Sequence, residues 1–178
     1  MKERSLGTLA GLHLTVIRTA VLGSILLYVI VVGLMIVVFS IPIGPALLGG
    51  VIVLILFWFS DLIHQLGHAW AARRTGYPMT GIRFGTLWIF STSLYPPDEP
   101  ALPAKIHLRR AFGGPIFSAW LTAIAFLLIL LTIRGADAVW AFVLWFFFLD
   151  NLFVMTLQVF FPLGFNDGAT VWRWMRKR

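Results

Sequence analysis

Four long apolar runs dominate this chain, at roughly 15–39, 46–72, 113–133 and 138–161. Each is at least as long as the ~20 residues a helix needs to cross a ~30 Å hydrocarbon core. That feature excludes a soluble globular domain. It predicts an all-α polytopic membrane protein with four transmembrane helices, a single membrane domain over residues 1–178. Composition agrees, since 12% of the residues are charged where soluble domains carry about a quarter. The first run is too long in its apolar core for a cleaved signal peptide, and no Ala-x-Ala site follows it. There is no cysteine, so disulfides and thiolate ligands are excluded, and any metal must be held by His, Asp or Glu.

The formal charge of +7 would suit a nucleic-acid partner if it formed a patch, but its distribution follows the spans. With the N-terminus inside, four crossings put Lys2, Arg4, Arg18, Arg73, Arg74, Arg83, Lys105, Arg109, Arg110, Arg173, Arg176, Lys177 and Arg178 on or near the cytoplasmic side. Arg134 alone falls outside. Enrichment of Lys and Arg in cytoplasmic segments sets helix orientation. The pattern therefore predicts a multi-pass integral membrane protein with both termini and the 75–110 loop in the cytoplasm. Membrane lipid is a secondary partner through its anionic headgroups; nucleic acid is not a partner.

The first span carries Gly23 and Gly33 and reads as packing or anchoring, with His13 an ordinary interfacial histidine outside it. Pro42 and Pro45 make residues 41–45 an external turn, because neither helix can continue through them. In the 75–110 loop, β-branched and aromatic residues punctuated by glycine over 79–90 predict one or two short strands at the cytoplasmic membrane surface, between the second and third helices. Pro96, Pro97, Pro100 and Pro103 make its second half an extended loop. The third span opens on Gly113-Gly114-Pro115, which places Pro115 in a helical first turn, where proline is tolerated. Pro162, Gly164 and Gly168 break the last span at its inner end, and irregular backbone at membrane depth survives only where it is buried or lines a wet cavity.

His64 and His68, near the inner end of the second span, lie one turn apart on one helical face, the geometry a Zn²⁺ ion needs from a helix. Threading brings Asp167, in the broken end of the last span, to the same side of the membrane. Two histidines and one aspartate make a three-ligand set with a fourth position open for water. Ionisable groups at membrane depth are expensive and are usually functional, which weighs against two merely packed histidines. Asp61, one turn before His64 on its face, either holds the second ring nitrogen of His64 or pairs with another helix. Asp150, Asn151 and Gln158 on the last span either line a cavity or, the favoured reading, bridge helices by hydrogen bonds.

With these residues in hand a family resemblance emerges. His64-Gln65-Leu66-Gly67-His68, then Gly114-Pro115, then Asn166-Asp167-Gly168 resembles the site-2 proteases, the intramembrane zinc metalloproteases of peptidase family M50. Their pattern is His-Glu-x-Gly-His on one span, Gly-Pro on the next and an Asp-Gly turn ending the one after. The resemblance covers about residues 51–174 in order, spacing and topology. It implies His64, His68 and Asp167 as zinc ligands, Gly114, Pro115, Asn151 and Asn166 as cavity or substrate contacts, and surface strands that engage an unwound transmembrane protein or peptide substrate. Departures accompany it: Ser118 stands where the third-span motif often has Asn, Val159 falls near another customary Asn, Phe165-Asn166 replaces Pro-Leu, and Gln65 occupies the position of the general-base Glu. Several departures together favour natural divergence over a single engineered exchange.

A neutral amide orients water but cannot take its proton at neutral pH, and general acid–base groups typically supply about 10²–10⁴ in rate. Two readings follow. One is a membrane-embedded zinc metalloprotease whose base is replaced, with Asp61 one turn away as the alternative base. The other is a catalytically inactive relative that binds zinc and transmembrane partners in a regulatory role. An ion conduit is weaker than either, because no charged chain leads across the bilayer.

Overall fold

The computed structural model describes residues 3–176; Lys2, Lys177 and Arg178 of the charge pattern lie outside the described residues. The chain opens with an antiparallel hairpin, β1 (Glu3–Leu9) and β2 (Leu12–Ile17). Its turn places Ala10 and Gly11 at φ of 50° and 80°. β2 feeds directly into helix α1 (Arg18–Val37), and α2 (Ile43–Arg74) returns after the proline turn. A second hairpin follows, β3 (Gly81–Leu87) and β4 (Phe90–Leu94). β3 pairs in parallel with β2, so one four-stranded sheet of order β1-β2-β3-β4 caps the end of the bundle where α1 begins and α2 ends. Helix α3 (Ala104–Thr132), helix α4 (Ala138–Leu149) and a short helix α5 (Asp167–Met175) complete the chain.

Four helical stretches, 18–37, 43–74, 104–135 and 138–160, are long and apolar enough to cross a membrane. Their outward faces keep large apolar side chains exposed, with Val37 80% and Leu131 72% accessible. Contiguous apolar surface of that kind suits lipid rather than water, and the protein is an integral membrane protein. In lipid, helices gain little from hydrophobic burial against each other, so close packing has to hold them together. The crossing of α2 and α3 illustrates this. A Cβ on Gly67 would lie 2.9 Å from Phe117 Cβ and would strike the Gly113 carbonyl oxygen; one on Gly113 would lie 2.7 Å from Ala71 Cβ. Only glycine at both positions lets the two backbones touch, and the histidine-bearing turns of α2 sit beside this contact.

The structure corrects the sequence expectations at six places, the first being that α2 begins at Ile43, so Pro45 lies in its first turn, where proline is tolerated, and not in a turn over 41–45. The strands expected between the second and third helices are present as β3 and β4, but the sheet has four strands, because residues 3–17 add a hairpin of their own that was not expected. Leu12, Leu14 and Val16 alternate inward to pack with Ala72, Met79, Ile82 and Phe84, while His13 points out. The first helix therefore starts at Arg18, since Thr15, Val16 and Ile17 extend as a strand, which β-branched residues favour. The third helix begins at Ala104, not Gly113, so the loop ends at Pro103: Lys105, Arg109 and Arg110 are helical though not apolar. Pro115 is consequently deep within α3 and leaves the Ala111 carbonyl without its usual donor. Finally, the last span loses α-helical geometry at Asp150, well before Pro162. A π-helical turn over Asp150–Thr156 and a 3₁₀ turn over Leu157–Phe160 carry the chain to the bend before α5.

Candidate metal centre

The interior face of α2 is polar where its lipid-facing surface is not. Ser60, Asp61, His64, Gln65 and His68 recur at helical spacing and are all buried, as polar groups inside a membrane bundle must be. The broken end of the last span brings Asp167 to the same point. His64 Nε2 and His68 Nε2 are 3.0 Å apart. Asp167 Oδ2 is 3.1 Å from His64 Nε2, and Asp167 Oδ1 is 3.3 Å from His68 Nε2. Each of the three can offer one ligand atom within 4.8 Å of the other two.

The opposite side of each ring explains this aim. His68 Nδ1 lies 2.8 Å from the Arg110 carbonyl oxygen, which accepts its N–H hydrogen bond, so the ring proton sits on Nδ1 and Nε2 keeps a free lone pair. His64 Nδ1 is 3.0 Å from Ser118 Oγ. Two imidazole lone pairs and a carboxylate aimed at one point repel each other unless a proton or cation sits among them. A divalent ion such as Zn²⁺ fits this donor set, with the outer ring nitrogens held as metal-ligating histidines require. Gly114 supplies the space: a Cβ there would lie 2.6 Å from His64 Nε2 and would also strike His68 Nε2.

Asp167 is fixed by Gln158, whose Nε2 donates to Asp167 Oδ2 at 2.6 Å while its Oε1 accepts from the Asp167 backbone N–H at 3.2 Å. Gln158 thus positions the carboxylate by tying the end of the last span to α5, and the bridge it makes is not between two spans. Asn166 is the N-cap of α5. Its Oδ1 accepts from the Ala169 N–H at 3.0 Å, and its Nδ2 donates to the carbonyls of Gln158 and Phe161. Its visible work is to set the bend that delivers Asp167.

A cavity of about 720 Å³ opens beside the three groups, walled on one side by β4 and on another by α5. Gln65 lines it, with Oε1 accepting from Ser93 Oγ at 2.8 Å. Asp61 lines it too, but its carboxylate accepts from Ser91 Oγ and not from a ring nitrogen of His64. Residues 91 and 93 lie on one face of β4 and residues 61 and 65 on one face of α2, so the strand is tied to the helix at both levels. Asn151 is fully buried, donating to Ser60 Oγ and the Phe147 carbonyl, both at 2.8 Å. It joins the last span to α2, as expected of a bridging residue.

Arg110 was read from sequence only as a topological charge. Its guanidinium is buried, donating to both Glu99 oxygens at 3.0 and 2.5 Å and to the Tyr77 carbonyl at 2.6 Å. It lies 4.1 Å from the Tyr95 ring centroid. Those bonds clamp the proline-rich loop to the helix whose Arg110 carbonyl orients His68. The Arg110 hydrogen bonds hold the Glu99 carboxyl below the usual carboxylate range, and burial pushes the Tyr95 phenol up to about 12. No sequence signal distinguishes Arg110 from its neighbour Arg109.

The fold is similar to that of the Site-2 Protease from Methanocaldococcus jannaschii. The two match with a TM-score of 0.63 over 99% of this chain and 72% of that one, at 20% sequence identity. No protein-family model and no curated protein matches the sequence. At that identity the likeness is one of fold, and it extends along almost the whole chain.

Proposed function

We propose that the chain is a site-2-protease-like intramembrane metalloprotease, acting on transmembrane protein or peptide substrates near the cytoplasmic leaflet, with its hydrolysis slowed by Gln65. The observation that carries this reading is the convergence of His64 Nε2, His68 Nε2 and the Asp167 carboxylate beside a cavity within apolar helices. Zn²⁺ held by these three residues would supply a Lewis acid that polarises a substrate carbonyl and acidifies a water. The distribution of Lys and Arg supports cytoplasmic termini and a cytoplasmic position for the sheet and the metal centre.

The chain's own residues then do the following. Arg110 and Ser118 fix the two rings through their Nδ1 atoms, and Gln158 fixes the carboxylate. The amide of Gln65, held by Ser93, can orient a water molecule but cannot carry its proton to the leaving amine. A glutamate in its place would accept the same Ser93 hydrogen bond with one oxygen and keep the other for the proton. A catalytically inactive relative that binds zinc and transmembrane partners is the second reading, favoured by that same amide.

The test is cleavage of a transmembrane peptide by purified, zinc-loaded protein. The chain as it stands turns over very slowly or not at all, and Gln65→Glu raises hydrolysis by at least about tenfold with zinc content unchanged. Silence in both forms with zinc bound selects the inactive reading. Robust cleavage with Gln65 in place, abolished by Asp61→Asn, assigns the base to Asp61.

A further inference from the structure

A second cavity of about 730 Å³ lies between α1, α2 and the last span, lined by Leu27, Phe39, Phe57, Phe142, Phe146 and other apolar side chains. It follows the last span from Ala138 to Val154, about 24 Å at helical rise. Phe90, Phe153 and Val154 line this groove and the metal-centre cavity alike, so the two spaces adjoin. One residue does not belong in such a lining. Asp150 is 6% exposed, and its Oδ2 is buried with no hydrogen-bond partner among the described residues. Asp61, the other carboxyl within the spans, is engaged by Ser91. Asp150 also opens the π-helical turn, a backbone irregularity that recurs at functional sites.

An unmet carboxyl oxygen in an apolar groove is costly, and the cost is recovered when an occupant brings it a polar partner. A lipid acyl chain has none to offer. We propose that this groove seats one flank of a transmembrane helix, and that Asp150 selects helices carrying a hydrogen-bonding side chain at its depth. The inference rests on the reading that substrates are transmembrane segments, and it makes Asp150 a determinant of which segments reach the adjoining metal centre. An Asn or Gln amide both donates and accepts, so it satisfies the carboxyl whether or not that group carries a proton.

The chain lacks cysteine, so Gly135→Cys, at a position with open space around it, gives a unique fluorophore site on the full-length protein in lipid nanodiscs. Energy transfer to labelled Leu/Ala peptides of about 23 residues is measured with and without one central Asn. The Asn peptide binds about threefold to thirtyfold tighter, the range of interhelical hydrogen bonds in membranes. Asp150→Leu erases that ratio and leaves the affinity of the apolar peptide in place, and Asp150→Asn restores at least part of it. A ratio near one for the unsubstituted protein, or one that persists in Asp150→Leu, overturns the inference. Zinc content measured on the same samples separates the two ideas: discrimination without zinc removes the protease reading alone, and bound zinc without discrimination removes the groove alone.

Discussion

Gly114→Ala offers a way to disable the metal centre without touching a ligand. The added Cβ would lie 2.6 Å from His64 Nε2 and 2.7 Å from His64 Cε1, inside ordinary contact by 3.4 − 2.6 = 0.8 Å. Helix α3 could retreat from α2 only by giving up the close backbone contact of Gly113 with Gly67, which holds the two helices together. A ring must rotate instead, giving up His64 Nδ1 to Ser118 at 3.0 Å or His68 Nδ1 to the Arg110 carbonyl at 2.8 Å. A buried polar group left unpaired costs about 1–3 kcal/mol. Zinc affinity should therefore fall about fivefold to 150-fold. Competition with a chromophoric chelator measures it. Alanine favours the helix over glycine by about 0.5–1 kcal/mol, so melting of α3 would not explain a loss, and circular dichroism should be unchanged. Affinity within a factor of two of the unsubstituted protein would refute the reasoning that Gly114 clears the space for the ligand atoms.

Glu99→Gln should change the acid response of stability. Arg110 depresses the folded-state pKa of Glu99, so the stabilisation is present above the unfolded value of about 4.3. It disappears as pH falls through the lower folded value. Thermal melts of the unsubstituted protein should drop across that acid window more steeply than melts of Glu99→Gln; parallel curves would count against the clamp. Gly85→Ala should lower the melting temperature by about 4–8 °C, for a loss of about 2 kcal/mol. Gly85 has φ of 86°, and its Cβ would lie 2.5 Å from the Ala20 nitrogen, prising β3 from the start of α1. An unchanged melting temperature would mean that the strand does not bear on the helix.

The four spans and the aim of the His64–His68 pair could be read in the sequence because each is a local property. Apolar length fixes a span, and a spacing of four fixes a shared helical face. What could not be read depends on partners distant in the chain. The strand character of residues 12–17 was visible in the alternation of Leu12, Leu14 and Val16, but the apolar run continuing from Val16 into α1 masked it. Asp61 had two equally open roles until β4 supplied Ser91. Arg110 looked like any interfacial cation, since hydropathy cannot tell that Glu99, Tyr77 and Tyr95 surround it. Gln158 looked like a helix bridge because the 3₁₀ turn that points it at Asp167 follows from the π-helical turn upstream, which no residue pattern announces.

The metal centre itself is tested most directly by metal analysis with X-ray absorption on the purified full-length protein. One zinc per chain is expected, with two imidazole nitrogens at about 2.0–2.1 Å and a carboxylate oxygen at about 2.0–2.2 Å. Occupancy should collapse in the His64→Ala, His68→Ala double variant and fall sharply in Asp167→Ala. Full occupancy in the double variant, or a spectrum without imidazole ligands, would contradict the assignment.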